Sequence, residues 1–302
     1  MSHVIAVHIT GTRIKAGVIE HDRILSSAVT RTPVTDSAAD VLGAVIFAIE
    51  AALSEPAVSS LGEPPLALGV GCPGPIDQAA EHVSPLTIPA WREYPLGQLL
   101  TERFRLPVHI RNDAVCLAIG EQRIGAGRGS DNLLAVTLGA GVGGGLILGG
   151  KPFFGRSGNA GHVGHMIVAP DGNPCDCGGV GCLQTVASVP GVVASARGAG
   201  WQGETGDLLD AVRAADPAVV AACEAAGDAL GVSLASLVNV LDLELIALAG
   251  PLTTVAPWLL PRVTEVLARH AVLEYTSGCR IVLSRPDTGL VGAAALCQPL
   301  VT

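Results

Sequence analysis

The sequence predicts an α/β protein built from two related lobes with a cleft between them. Strands and helices alternate through the first hundred of its 302 residues. Two stretches, IAVHITGTRIKAGVIE and LAVTLGAGVGGGLILGG, share one form, in which two strands are joined by a glycine-containing turn. This similarity indicates a duplicated fold, and the length of the chain is sufficient for two domains.

The N-terminal lobe is expected to span residues 1–112. HVIAVHI and IKAGVIE predict two strands joined by a tight turn at Thr10, and a third strand is expected over Ile24–Val29. A helix follows from Ser37 to Leu53, with Asp36 placed to cap its first turn. PLALGVGCPG and LPVHIRND predict two buried strands, and the second runs directly into a helix over Ala114–Ile124.

The larger C-terminal lobe is expected to span residues 113–287. It contains a strand, a glycine turn and a second strand after Gly127, and then a loop rich in Gly and Cys that extends to about Gly181. Helices follow, then the late strand ELIALAG, the strand RIVL and a final helix. This last helix, over about 288–302, is expected to pack back on the N-terminal lobe.

Composition excludes several functional classes. The formal charge is −9, and lysine occurs only at Lys15 and Lys151, so the surface repels phosphate backbones and nucleic-acid binding is not expected. No run approaches the roughly 18 apolar residues of a membrane span, and the N-terminus lacks the pattern of a signal peptide. We therefore expect a soluble cytoplasmic protein.

Four side chains within GHMIVAPDGNPCDCGGVGC carry the strongest chemical pattern, namely His165, Cys175, Cys177 and Cys182. Three thiolates and one imidazole form a closed tetrahedral ligand set for Zn²⁺, and the glycines among them allow the backbone to wrap the metal. Because no position is left open for water, the predicted zinc is structural. The alternatives are free thiols in a mobile loop and a redox pair, although C-x-C differs from the usual C-x-x-C.

The second glycine turn has the form G-x-G-x-x-G at Gly139, Gly141 and Gly144. A dinucleotide-binding fold requires a helix directly after these glycines, but here a strand continues. The segment therefore predicts a hairpin, which either cradles phosphate through its backbone N–H groups or is a structural turn.

These motifs together resemble the ROK family of sugar kinases and repressors. The resemblance follows the whole chain in order, through CPGPID at 72–77, Asn112-Asp113-Ala114, the glycine hairpin, G-x-x-G-H at 161–165, C-x-C-G-x-x-G-C at 175–182 and LVGAAAL at 290–296. It implies a two-lobed actin-like ATPase (ribonuclease H-like) fold with an interlobe cleft and a structural zinc loop. It also implies a homodimer or homotetramer.

The resemblance further assigns roles to residues. Asp113 would be the general base that takes a proton from the sugar hydroxyl, Asn112 would bind the sugar, and His165 would ligate zinc and lie beside the sugar. Mg-ATP would bind at the two turns, through Thr10, Gly11, Thr12, Gly139, Ala140, Gly141 and Gly250. From the residues alone, Asp113 is equally well explained as the N-cap of the following helix.

The sequence departs from the family pattern on both the nucleotide side and the sugar side. The first phosphate turn, D-x-G-G-T in the family, has His8 in place of the aspartate and Thr10 in place of a glycine. The second turn has Ala140 where the family has threonine. On the sugar side, two glutamates are replaced by His162 and Gln184, which we still expect to contact the substrate.

These departures leave three functions open. The first is a divergent kinase of a sugar or cyclitol that is not an ordinary glucokinase. The second is a non-phosphoryl reaction, such as hydrolysis or elimination on a sugar derivative, with Asp113 and His162 as acid and base. The third is a non-catalytic sugar-binding protein. A DNA-binding repressor is not expected, because the first strand begins at about His3 with no helix-turn-helix before it.

Overall fold

The computed structural model describes residues 3–79 and 81–298. Its first elements, in chain order, are β1 (Val4–Ile9), β2 (Arg13–Glu20), β3 (Arg23–Arg31), α1 (Ala38–Leu53), α2 (Pro56–Ser59), β4 (Leu68–Cys72), β5 (Ile76–Asp77), β6 (His82–Val83), α3 (Leu96–Phe104), β7 (Val108–Asn112) and α4 (Asp113–Ile124). The elements that follow are β8 (Leu133–Leu138), β9 (Val142–Leu148), β10 (Lys151–Phe153), α5 (Gln184–Ala187), α6 (Val189–Gly198), α7 (Leu208–Arg213), α8 (Pro217–Leu241), β11 (Leu245–Ala249), α9 (Ala256–His270), β12 (Arg280–Leu283) and α10 (Thr288–Ala295). The α/β class expected from the sequence is confirmed.

The chain divides into two compact units. Unit 1 comprises Met1–Asp131, Gly145–Gly161 and Ser284–Thr302, and unit 2 comprises Asn132–Gly144 and His162–Leu283. This division differs from the predicted boundary after residue 112, because α4 belongs to unit 1. Residues 113–121 of α4 are all buried, and the helix packs on α10, β4 and β7.

Unit 1 is built on a five-stranded sheet in the order β3-β2-β1-β4-β7. The first three strands pair antiparallel, and β1, β4 and β7 run parallel. Helix α1 packs on β2 and β3, and a cluster of buried side chains fills the space around it, including Val45, Ile49 and the fully buried Trp91. Because β1, β4 and β7 are parallel, their carboxyl ends lie on the same side of the sheet, and the edge strand β7 places Asn112 and Asp113 there.

Helices α4 and α10 of unit 1 approach each other so closely that glycine is required between them. A Cβ added at Gly120 would lie 1.8 Å from the Thr288 carbonyl oxygen, and one added at Gly292 would lie 1.6 Å from that of Cys116. Any side chain there would force the two helices apart. Helix α10 also packs on β1 and β4. Helix α10 is therefore part of the core of unit 1; it ends at Ala295, earlier than the predicted helix over about 288–302, whose last four positions lie outside the described residues.

The second sheet has the order β10-β9-β8-β11-β12, with β8, β11 and β12 parallel. Its strand β9 contains the point, between Gly144 and Gly145, at which the chain passes from unit 2 to unit 1. In unit 2 the long helix α8 packs against α5, α6 and α9. The Asp216 side chain caps the first turn of α8, because it accepts hydrogen bonds from the N–H groups of Ala218 and Val219.

Among the described residues, α8 alone has the length and composition of a membrane span, with a mean hydropathy of 1.5. However, 56% of that apolar window is buried inside the structure, which is typical of a core helix. The absence of a membrane span, expected from the sequence, stays a prediction.

The cap of α1 differs from the expectation. Ser37, and not Asp36, is the N-cap residue, and its hydroxyl accepts the Asp40 N–H at 3.2 Å. Ser37 has extended backbone dihedrals and lies three residues before that N–H, which is the geometry that a capping side chain requires.

Candidate functional site

Asp113 lies at the junction of β7 and α4 in unit 1. The residue before it, Asn112, is the N-cap of α4, and its side-chain oxygen accepts the Ala114 N–H at 2.9 Å. The sequence alone allowed Asp113 to be the cap, and that alternative is wrong. Because Asn112 already caps the helix, the position of Asp113 calls for another explanation.

The carboxyl group of Asp113 is buried, with 8% of the residue exposed. Burial raises the pKa of Asp113 to about 6, although hydrogen bonds from the backbone N–H groups of Ala114 and of Asp113 itself oppose this rise. A carboxyl with this pKa is mostly ionised at neutral pH and binds a proton more readily than an exposed aspartate does. These are the properties of a general base.

His8, at the end of β1, is the neighbour of Asp113 that the sequence did not place there. Its Nε2 lies 3.4 Å from the Asp113 carbonyl oxygen. Burial lowers the pKa of His8 to about 4, and the charges of Arg13 and Lys15 lower it further. The imidazole is therefore neutral at pH 7, and it contributes neither the negative charge of a carboxylate nor a positive charge.

The turn between β1 and β2 is closed by the Thr10 side chain. The Thr10 hydroxyl oxygen accepts the N–H of Arg13 at 3.0 Å and the N–H of Thr12 at 3.4 Å, and the hydroxyl donates to the Arg13 carbonyl at 2.9 Å. Two N–H groups of this turn are thus already satisfied within the turn itself. A glycine at position 10 would leave them available to a phosphate.

In unit 2, the segment 139–141 joins β8 and β9, which confirms the predicted hairpin. The Gly139 N–H donates to the Gly141 carbonyl at 2.9 Å, and the Gly139 carbonyl accepts the Val189 N–H at 2.9 Å. Gly250 lies nearby, with φ at +101° and no space for a Cβ, which would be 2.4 Å from the Leu138 carbonyl oxygen. The hairpin and Gly250 therefore form one glycine-lined surface.

The predicted metal ligands His165, Cys175, Cys177 and Cys182 converge in unit 2, where their ligand atoms all lie within 4.8 Å of one another. Cys177 Sγ is 3.8 Å from Cys182 Sγ, and Cys175 Sγ is 3.7 Å from His165 Nδ1. Tetrahedral zinc with bonds of about 2.3 Å to sulfur separates two sulfurs by about 3.8 Å. The donor set and its spacing therefore fit a tetrahedral metal ion.

The loop that carries these ligands depends on glycine. Gly178 has φ at +88° and Gly181 has φ at +71°, and a Cβ on Gly181 would lie 1.6 Å from the Ala169 carbonyl oxygen. The Gly179 N–H donates to Cys177 Sγ at 3.4 Å and lowers the pKa of that thiol. The backbone thus holds the thiols in place and favours a thiolate.

Both positions at which the sequence departs from the family on the sugar side, His162 and Gln184, lie directly beside the predicted metal ligands. The ring of His162 stacks on that of His165, with centroids 6.0 Å apart. The side-chain amide of Gln184 donates to Cys175 Sγ at 3.3 Å. His162 and Gln184 thus contact ligands of the predicted metal.

The structure gathers the predicted site residues in two groups, one in each unit. Unit 1 holds Thr10, Gly11, Thr12, Asn112 and Asp113, and unit 2 holds Gly139, Ala140, Gly141, His162, His165, Gln184, Gly250 and the three cysteines. Sequence reasoning missed the contact of His8 with the Asp113 backbone. The parallel pairing of β1 with β4 and of β4 with β7 could have suggested it, because it brings these strand ends to one edge of the sheet.

Comparison with known proteins identifies a matching family and several relatives of this chain. A family model described as the ROK family matches residues 4–299. A glucokinase from Halalkalibacterium halodurans is 33% identical over 251 residues, 77% of this chain and 76% of that protein. A glucokinase from Thermotoga maritima is 29% identical over 314 residues, 98% of this chain and 97% of that protein.

One solved structure has a similar fold along the whole chain. It is a ROK family glucokinase from Streptomyces griseus in complex with glucose and AMPPNP, with a TM-score of 0.84 and 31% sequence identity, covering 98% of this chain and 99% of that one. The resemblance that the motifs indicated is thereby confirmed.

Proposed function

Because this chain belongs to the ROK family, we propose that it is a divergent ROK sugar kinase that transfers a phosphoryl group from ATP to a hydroxyl of a sugar or cyclitol. The observation that carries the proposal is Asp113, which is buried, has a pKa raised to about 6 and is not the cap of α4. The relatives named as glucokinases support the same class of reaction.

In the proposed reaction, Asp113 accepts the proton of the acceptor hydroxyl. The hydroxyl oxygen forms a bond to the γ-phosphorus of ATP, the bond from that phosphorus to the bridging oxygen breaks, and ADP leaves. Asn112 is proposed to orient the sugar. The N–H groups of Gly141 and Gly250 on the glycine-lined surface are proposed to contact the phosphates, since the Gly139 N–H donates to the Gly141 carbonyl.

The proposal also includes one structural zinc ion, held by His165, Cys175, Cys177 and Cys182. The ligand spacing in this structure supports zinc, and all four tetrahedral positions would be filled by protein side chains. The zinc would therefore fix the loop that carries His162, Gln184 and the glycines, and it would not activate water.

We further propose that this kinase is not an ordinary glucokinase. His8 is neutral and cannot supply the carboxylate expected near Mg²⁺, and Thr10 satisfies two turn N–H groups internally. Ala140 has no hydroxyl for a phosphate oxygen. His162 and Gln184 replace two carboxylates, and a site that binds hydroxyls discriminates strongly when such partners change.

The test is an ADP-release assay with Mg-ATP, combined with calorimetric titration of Mg-ATP. Acceptors would be glucose, N-acetylglucosamine, N-acetylmannosamine and myo-inositol, together with a wider panel of sugars and cyclitols. We expect Mg-ATP binding and turnover of at least one acceptor in the wider panel, lost in Asp113→Asn. Turnover near 10 s⁻¹ on glucose, a typical enzyme value, would show an ordinary glucokinase.

The internal hydrogen bonds of Thr10 favour a second candidate, in which ATP-dependent transfer has been lost. The enzyme would then hydrolyse a sugar derivative or eliminate a group from it, with Asp113 and His162 as the acid–base pair. Absence of Mg-ATP binding at millimolar nucleotide would support this candidate over the kinase.

A further inference from the structure

Cys177 is the one thiol of this chain that solvent reaches freely. All eight cysteines lie among the described residues, and Cys177 alone is exposed, whereas the other seven are buried or half-buried. Oxidants attack cysteines according to their accessibility and their thiolate character. An oxidant in solution therefore meets Cys177 before it meets any other cysteine.

A second thiol lies against Cys177 on the buried side of the loop. The Sγ atoms of Cys177 and Cys182 are 3.8 Å apart, and only 1% of Cys182 is exposed. The sulfur of Cys175 has other contacts, because it accepts the Gln184 amide at 3.3 Å and lies 3.7 Å from His165 Nδ1. Cys182 is therefore the thiol that is best placed to react with an oxidised Cys177.

Gly179 leaves both of these sulfurs uncovered on one side. A Cβ added at Gly179 would lie 3.4 Å from Cys177 Sγ and 3.6 Å from Cys182 Sγ. Apart from the chain neighbours of Gly179, no other heavy atom of the described residues lies within 4 Å of that position. The missing side chain thus leaves space over the two sulfurs for a small molecule such as hydrogen peroxide.

The backbone on either side of the pair favours a movement of Cys177 towards Cys182. Sulfurs joined in a disulfide are about 2 Å apart, so one of the two must move by about 2 Å. Gly178, which follows Cys177, has φ at +88°, and a Cβ added there would meet no described atom within 4 Å. Cys182 is held more firmly, since it is buried and its carbonyl accepts the Thr185 N–H at 3.0 Å.

We propose that Cys177 is an oxidation site, at which hydrogen peroxide converts the predicted metal ligands Cys177 and Cys182 into a disulfide. The Cys177 thiolate attacks one peroxide oxygen, the O–O bond breaks, and hydroxide leaves while Cys177 becomes a sulfenic acid. The Cys182 thiolate then attacks the Cys177 sulfur, so that the S–S bond forms, the S–O bond breaks and a second hydroxide leaves. The two thiolates together lose two electrons, and the peroxide gains them. This inference rests on the zinc site of the proposed function.

Oxidation at Cys177 has a consequence for the side chains proposed to contact the substrate. A disulfide removes two of the four predicted ligands, and His165 and Cys175 alone do not complete a tetrahedral site, so the metal is released. The ring of His165 stacks on that of His162, and Cys175 accepts the amide of Gln184. Loss of the metal therefore loosens the supports of both His162 and Gln184.

The experiment exposes the full-length, zinc-loaded protein to hydrogen peroxide, with an untreated sample beside it. A chromogenic chelator follows zinc release, and peptide mass spectrometry locates the disulfide. We expect about one zinc ion per chain to be released as a Cys177–Cys182 disulfide forms. A thiol reductant with added zinc should restore the metal content, because a disulfide is reversible and the higher oxidation states of cysteine are not.

Gly179→Ala is the decisive variant, because it keeps all four ligands and places a methyl group over both sulfurs. Gly179 is not among the glycines with positive φ, so alanine introduces no backbone strain. The variant should release zinc several-fold more slowly than the wild type. Gly206→Ala is the matched control, since it adds a methyl group at another exposed glycine, and it should release zinc at the wild-type rate.

Cys177→His is a second variant, which replaces the thiol by another side chain that binds zinc. It should retain the metal in peroxide that empties the wild-type site. It also keeps the inference testable if Gly179→Ala does not fold.

Several results would overturn the inference. They are zinc that stays bound in peroxide, a disulfide that joins a different pair of cysteines, and release from Gly179→Ala or Cys177→His as fast as from the wild type. A protein purified without zinc would refute the proposed zinc site and this inference with it. Zinc that is present but insensitive to peroxide would refute only the oxidation site, and ADP release tests the kinase separately.

Discussion

Replacing Asp113 by Asn should lower activity and raise stability in one substitution. The pKa of Asp113 is raised from 3.8 to about 6, so the ionised carboxyl is less stable in the folded chain than in the unfolded chain. A shift of about two pH units corresponds to about 3 kcal/mol of unfolding free energy. Asn keeps the size of the side chain and removes the charge, so the variant should gain up to that amount.

The pH dependence of this gain identifies its cause. Because the folded-state pKa lies above the unfolded-state value, the penalty on the wild type is absent below pH 3.8, grows as the pH rises and is complete above about pH 6. The difference in stability between Asp113→Asn and wild type should therefore be near zero at pH 4 and full at pH 7–8. Activity should fall by roughly 10²–10⁴-fold, because the proton acceptor is lost.

The assay is urea denaturation of both proteins at pH values from 4 to 8, together with turnover of the acceptor found by ADP release. Asp216→Asn, at the N-cap of α8, is the control, since Asn caps a helix as well as Asp does. A stability difference that does not change with pH, or a less stable Asp113→Asn protein, would refute the assignment of a desolvated carboxyl.

Three further predictions concern other parts of the site. In the Asp113→Asn variant, the free energy of unfolding should fall by roughly 3 kcal/mol as the pH drops from 6.5 to 4, because His8 is neutral in the folded chain and protonated in the unfolded chain. Adding the substitution His8→Asn to this variant should abolish the fall. Cys177→Ser should lose most of about one zinc ion per chain by mass spectrometry and lower the melting temperature, whereas Cys279→Ser should retain the metal. Thr10→Gly should tighten Mg-ATP binding about tenfold by freeing two N–H groups, and an unchanged dissociation constant would contradict that role.

The sequence predicted those features that depend on residues close together in the chain. Three cysteines lie within eight positions, and metal chemistry leaves few alternatives for such a set, so the cluster with His165 was expected before the structure. The hairpin at Gly139 followed from strands on both sides of a glycine turn. The α/β class followed from apolar periodicity.

Other features depend on side-chain geometry and could not be predicted. Asp36 and Ser37 are both good caps, and only the backbone dihedrals decide that Ser37 accepts the N–H. Asn112 and Asp113 presented the same ambiguity. The packing of the Gln78 side chain against Gly158 has no sequence pattern, because the two residues lie 80 positions apart in the chain.

The order of segments in the two units has a consequence for synthesis. The chain passes between units four times, after Asp131, Gly144, Gly161 and Leu283, so unit 1 is assembled from three separate segments. Helix α10, in the last segment, packs on β1 and β4, and Gly292 lies against α4. A ribosome-bound chain that has not yet released residues 284–295 therefore exposes the apolar surfaces of β1, β4 and α4, and unit 1 closes only after these residues have been synthesised. Unit 2, which ends at Leu283, has all of its residues earlier, so the nascent chain completes its second unit before its first.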